Sequence, residues 1–86
     1  MMIKFHPRGW EDYLYWQQTD KAIVRRINPL IRDVQREPFA GIGQPEPLRF
    51  GFKGAWSRRI TDEHRLVYGI EGDTLIVLQC RFHYQP

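Results

Sequence analysis

Between Ile23 and Val34 the apolar residues Ile23, Val24, Ile27, Leu30, Ile31 and Val34 fall at i, i+1, i+4, i+7, i+8 and i+11. That spacing lays one stripe along an α-helix. Thr19 or Asp20 can cap its start, and the helix is expected to end near Glu37, before Pro38. Pro29 falls in its interior, where a proline removes a backbone donor and crowds the preceding turn at a cost of about 3 kcal/mol. Because the apolar phase runs through Pro29 unbroken, one kinked helix is expected. A shorter helix is predicted from about Gly9 to Gln18, with Trp10, Tyr13, Leu14 and Gln17 on its stripe. Pro7 suits its start, and Glu11 and Asp12 are expected in the first turn, at the positive end of the helix dipole.

The pattern elsewhere reads as strands. Met2 to His6 can form a first one; Leu48–Phe52, Trp56–Thr61, Arg65–Glu71 and Thr74–His83 follow the helices, with Glu71-Gly72-Asp73 as a tight hairpin. Residues 39–47, FAGIGQPEP, are irregular. The order β-α-α-β-β-β-β predicts an α+β fold, a mainly antiparallel sheet with both helices packed on one face. No repeat, linker or composition shift divides the chain, so residues 1–86 read as one domain. Strand alternation assigns Leu66, Tyr68 and Ile70, and Ile76, Leu78, Cys80 and Phe82, to the helix-covered face. The opposite face then receives Ser57, Arg59, Thr61, Arg65, Gln79, Arg81 and His83.

Composition refines this picture only slightly. At 86 residues, 42% of them hydrophobic and 14% aromatic, the chain is globular, but folding buries only about 60% of its extended surface. Thirteen Lys and Arg against ten Asp and Glu give +3, and Arg far outnumbers Lys, which suits bidentate contact with phosphate. Charge of this size does not by itself establish nucleic-acid binding. One cysteine excludes an internal disulfide, and Cys80, in an apolar strand, reads as a buried structural thiol. Neither a membrane span nor a signal-peptide core is visible, so a cytoplasmic protein is expected.

An open sheet face with three arginines and a histidine, flanked by Glu46, Glu63 and His64, admits two readings. It is a solvated surface, or it is a site for a phosphodiester. A metal-independent ribonuclease needs a base for the 2'-hydroxyl, a fixed cation for phosphate charge and an acid for the leaving 5'-oxygen. Glu46, Arg65 or Arg59, and His83 can fill those roles. Glu63 and His64 are adjacent and point opposite ways in extended chain, and no metal-ligand spacing exists, so no metal and no cofactor are expected. His6 reads as structural or as a helix cap. Trp10, Tyr13, Trp16 and Trp56 read as core or dimer contacts, with Trp16, off the stripe, free to meet a partner.

The run PEPLRFGFKGAWSRRITDEHRLVYGI from Pro45 to Ile70, with WEDYLYWQQTDKAIVRRIN before it and the terminal CRFHY, resembles the YoeB/Txe family of RelE-type toxins over nearly the whole chain. The resemblance implies a ribosome-dependent messenger-RNA endonuclease of a bacterial toxin–antitoxin system, dimeric and held inactive by a YefM-like antitoxin. By motif position it implies Glu46 as general base, Arg65 as phosphate clamp, His83 as general acid and Tyr84 as a positioning group. Arg59, Glu63 and Arg81 would support them. Lys4, Arg25, Arg26, Arg49, Lys53 and Arg58 would dock RNA and the ribosomal A site. Strict alternation turns His83 and Tyr84 to opposite faces, so both reach one substrate only if the strand has ended or twisted by Tyr84. Two other classes compete: a ParE-like toxin on the same fold that acts by binding alone, and a basic RNA-binding module without chemistry.

Overall fold

The computed structural model describes residues 1–49, 51 and 53–84. In chain order they form β1 (Met2–Phe5), α1 (Pro7–Thr19), α2 (Lys21–Arg36), β2 (Glu46–Pro47), β3 (Trp56–Arg59), β4 (Arg65–Glu71) and β5 (Thr74–Gln79). The sheet order is β1-β5-β4-β3-β2, with β1 parallel to β5 and every other pair antiparallel. This is the expected α+β arrangement. Ile23, Ile27, Leu30, Ile31 and Val34 of α2 and Trp16 of α1 meet Leu66, Tyr68, Leu75, Val77 and Cys80 of the sheet in one core. Each fully buried aliphatic side chain contributes about 1.5–3 kcal/mol.

α2 follows its apolar stripe without interruption, including Pro29, and the side chain of Asp20 caps it by accepting the Ala22 N–H at 3.1 Å. α1 differs from expectation. It begins at Pro7, with His6 as the cap, its ring accepting the Arg8 N–H at 3.3 Å. The earlier start leaves Glu11 and Asp12 beyond the first turn. Its buried face is Gly9, Asp12 and Trp16, while Trp10, expected on the stripe, is 45% exposed. A polar residue holds a core position because Asp12 accepts the Cys80 backbone N–H at 3.1 Å; burial still raises the pKa of its carboxyl. Trp16, read as a core or dimer contact although off the predicted stripe, is in the core, and its indole N–H donates to the Cys80 carbonyl at 2.8 Å. Gly9 lets α1 approach this closely, since a Cβ there would overlap the Val77 carbonyl oxygen.

A β-bulge changes the faces of β5. Val67 pairs with Gln79 but Tyr68 pairs with Val77, so Leu78 is an extra residue and the alternation shifts by one. Leu75 and Val77 therefore enter the core in place of Ile76 and Leu78, which sit on the helix-free face beside Gly69 and Lys53. Beyond the bulge the expected phase returns and Cys80 is buried, while Phe82, expected in the core, is 39% exposed. The strand after the irregular segment is shorter and earlier than predicted, Glu46–Pro47, although the Leu48 N–H still reaches the Ala55 carbonyl at 2.9 Å. Arg49 and Gly51 of that expected strand are bends, and Phe50 and Phe52 lie outside the described residues. β3 ends at Arg59 and β5 at Gln79, before the predicted limits of Thr61 and His83.

Candidate active site

β2 is an edge strand, where flanking prolines cost no ladder bond. Its pairing puts Glu46 opposite Ser57, which in turn faces Val67 of β4. Partners across a ladder share a face, so the Glu46 carboxylate projects on the helix-free side, as does Arg65 two residues before Val67. β5 has stopped by Gln79, and the chain then turns. Phe82 adopts a left-handed φ of 60°, a conformation that costs an L-residue roughly 1–2 kcal/mol. With alternation broken there, His83 and Tyr84 both reach the open side. Glu46, Arg65, His83 and Tyr84 line one open cavity of about 610 Å³, together with Ser57, Arg49 and Gly51.

Fixed geometry surrounds three of these side chains. Arg65 Nη1 donates to the carbonyls of Thr61, Asp62 and His64, which leaves Nε and Nη2 as donors for an anion. His83 Nε2 lies 3.1 Å from the Asp62 carbonyl. Since a carbonyl only accepts, Nε2 carries the hydrogen and Nδ1 is the nitrogen left to exchange a proton. Tyr84 lies against Gly51, at φ 93°, where a Cβ would overlap its ring. The cavity thus gathers a carboxylate, a guanidinium, an imidazole and a phenol, a set able to take a proton, stabilise an anion and return a proton.

A profile of the YoeB-like toxin of bacterial type II toxin–antitoxin systems matches residues 5–84. The chain belongs to the YoeB toxin family. Toxin YoeB of Escherichia coli K12 is 55% identical over 84 residues, covering 98% of this chain and 100% of that protein. Among solved structures, a YoeB/ParE toxin from Agrobacterium tumefaciens is 52% identical with a TM-score of 0.93, over 98% of this chain and 100% of its own. Staphylococcus aureus YoeB, solved as a dimer, is 42% identical with a TM-score of 0.90, covering 98% of both chains. The heterotetrameric YoeB–YefM complex from the same organism is similar at 42% identity and 0.88, also over 98% of both chains. This YoeB-family chain is therefore a toxin of a toxin–antitoxin system.

In this YoeB-family fold the remaining predicted residues are dispersed. Arg59 Nη2 is 2.6 Å from Asp62 Oδ1 and faces a different groove with Arg26. Arg81 stacks over the Tyr15 ring at 3.7 Å and the Phe82 ring at 4.8 Å. Glu63 is exposed in the turn before β4 and does not line the cavity. Lys4, Arg25, Arg26 and Lys53 are exposed, and Arg26 donates to the Ile60 carbonyl at 3.2 Å. Arg49, expected at a docking surface, lines the cavity itself. Arg58 requires correction: it is 0% exposed and cannot contact RNA. Its guanidinium pairs with Asp33 at 2.5 Å and donates to the carbonyls of Glu37, Ala40 and Ile42. Strand phase carried the signal, because Arg58 shares the core face with Leu66 opposite it on β4 while Ser57 and Arg59 take the other. The contribution of Gly51 had no such signal, since it depends on where the far end of the chain returns.

Proposed function

We propose that this chain is a ribosome-dependent endonuclease that cuts messenger RNA in the A site and so stops translation. The observation that carries the reading is the convergence of Glu46, Arg65, His83 and Tyr84 on one cavity from β2, β4 and the segment after β5. Glu46 takes the proton of a 2'-hydroxyl, whose oxygen attacks the adjacent phosphorus. Arg65, steadied by the turn carbonyls, stabilises the charge on the phosphoryl oxygens. His83 gives a proton to the leaving 5'-oxygen, and Tyr84 positions the scissile phosphate. The P–O5' bond breaks, leaving a 5'-hydroxyl and a 2',3'-cyclic phosphate that opens to a 3'-phosphate on hydrolysis.

Likeness to the S. aureus proteins supports a second copy of this chain and a YefM-like antitoxin as partners. The ribosome and its message complete the set, in the cytoplasm. No helix among the described residues is long and apolar enough to cross a membrane.

Cleavage of an end-labelled message on programmed bacterial ribosomes tests the reading. Glu46→Gln and His83→Gln should each lower the cleavage rate about 10²- to 10⁴-fold, the usual loss of a general base or acid. New 3' ends should carry phosphate and map to the A-site codon. Cleavage unchanged in both variants would remove Glu46 and His83 from the chemistry, and ribosome or gyrase binding with no cleavage at all would replace catalysis by occupancy.

A further inference from the structure

We infer that His64 is a positioning residue for the proposed reaction, holding the backbone bend at Phe82 that delivers His83 and Tyr84 to the cavity. The inference rests on the catalytic reading above. Among the described residues none past Gln79 belongs to a strand, yet the chain must arrive with His83 and Tyr84 aimed at Glu46 and Arg65. Two anchors fix its beginning, Asp12 and Trp16 gripping the backbone N–H and C=O of Cys80. Two more fix the bend itself. The Phe82 N–H donates to His64 Nδ1 at 2.7 Å, and the Phe82 carbonyl accepts the Arg65 N–H at 3.0 Å.

Phe82 is one of two non-glycine residues with positive φ among those described, and it immediately precedes His83. An L-residue holds that conformation only when its surroundings impose it. A ladder bond could come from any residue, but the bond to Nδ1 needs a side-chain acceptor at this place. It also fixes the ring's state: Nδ1 accepts, so the hydrogen is on Nε2. The ring is held in turn, edge-on to Trp16 at 4.7 Å and against Phe82 at 5.3 Å. Backbone bonds from Ile60 and Thr61 to the His64 carbonyl, and from the His64 N–H to the Thr61 hydroxyl, secure its main chain. The same turn presents the Asp62 carbonyl to His83 and the Thr61, Asp62 and His64 carbonyls to Arg65. One four-residue turn therefore orients both the imidazole and the guanidinium, and His64 ties it to the returning chain.

Two substitutions separate acceptor from bulk. His64→Asn keeps an acceptor, because Asn Oδ1 stands about where Nδ1 does, whereas His64→Phe keeps the ring contacts and loses the acceptor. In single-turnover cleavage on programmed ribosomes, His64→Phe should slow the chemical step about 10²-fold, as for a misplaced catalytic group, with ribosome affinity unchanged. His64→Asn should recover most of the rate. Long-range proton–nitrogen NMR of the parent protein should show the Nε2–H tautomer at His64 and a slowly exchanging Phe82 amide. Equal rates for His64→Phe and the parent, with His83→Gln inactive, would overturn the role of His64 alone. Full activity in His83→Gln would instead remove the catalytic reading beneath it. Should His64→Phe fail to fold, a rapidly exchanging Phe82 amide or an Nδ1–H tautomer in the parent would still overturn the inference.

Discussion

Arg58 shows how little a residue type says about its role until its neighbours are known. A guanidinium carries five donors, and here they are spent on Asp33, three loop carbonyls and the Tyr68 hydroxyl, so a charge sits in the core with its hydrogen bonds satisfied. Removing it takes the buried donor from Asp33, which keeps the Arg36 guanidinium and the Ile42 N–H, and from the carbonyls of Glu37, Ala40 and Ile42. Arg58→Met should lower stability by about 3 to 5 kcal/mol, seen as a fall in the urea midpoint, and Arg58→Lys should not restore it fully, since three donors cannot span the same carbonyls. The pair also has a pH signature. The Ile42 N–H and the Arg58 guanidinium hold Asp33 down from 3.8 to about 2. As the folded value is the lower one, the unfolded chain takes up the proton first on acidification. The stabilisation is therefore complete above about pH 4 and is lost as pH falls towards about 2. Urea midpoints between about pH 2 and 6 should show this acid limb, and Asp33→Asn should flatten it.

At the scale of elements, two local irregularities have opposite consequences. Pro29 leaves α2 a continuous helix, because five buried side chains on its stripe outweigh one missing donor. Pro29 is exposed and its helix packs without it, so Pro29→Ala should raise stability by up to about 3 kcal/mol. A more flexible unfolded chain subtracts roughly 0.4–1 kcal/mol from that gain. A higher Tm in calorimetry checks the sign; a lower one would mean that the proline ring makes contacts worth more than the donor. The bulge at Leu78 is the irregularity that matters to the site. By shifting the phase of β5 it puts Leu75 and Val77 in the core and still leaves Cys80 buried where α1 can grip it. Without it, the chain end would leave the sheet on the other phase.

For the whole molecule, a net charge of +3 acts through its distribution. Arg25 and Arg26 are exposed on α2 and outside the cavity lining, so on the proposed reading they contribute docking without chemistry. Arg25→Glu with Arg26→Glu should weaken ribosome binding and reduce the slope of log affinity against log salt, by about 0.7–0.9 for each phosphate that is no longer neutralised. Cleavage by the fully bound variant should keep its rate. Filter binding at several salt concentrations measures the slope, and an unchanged slope would move the docking surface elsewhere.

Much of this protein was legible in its residues. The stripe of α2, the hairpin at Gly72 and the alternation of β4 are short-range patterns, and short-range sterics and burial set them directly. The four residues expected to carry the chemistry were also legible, through motifs that resemble a known family. Sequence by itself could not decide which face β5 presents, because one inserted residue reverses every side chain before it. Nor could it resolve how His83 and Tyr84 reach the same side. That depends on a left-handed bend at Phe82 held by a histidine eighteen positions earlier, a bond that exists only once β4 and the chain end have been brought together. Local patterns determined most of the elements, and family motifs pointed to the candidate groups; long-range contacts decided which of those groups meet.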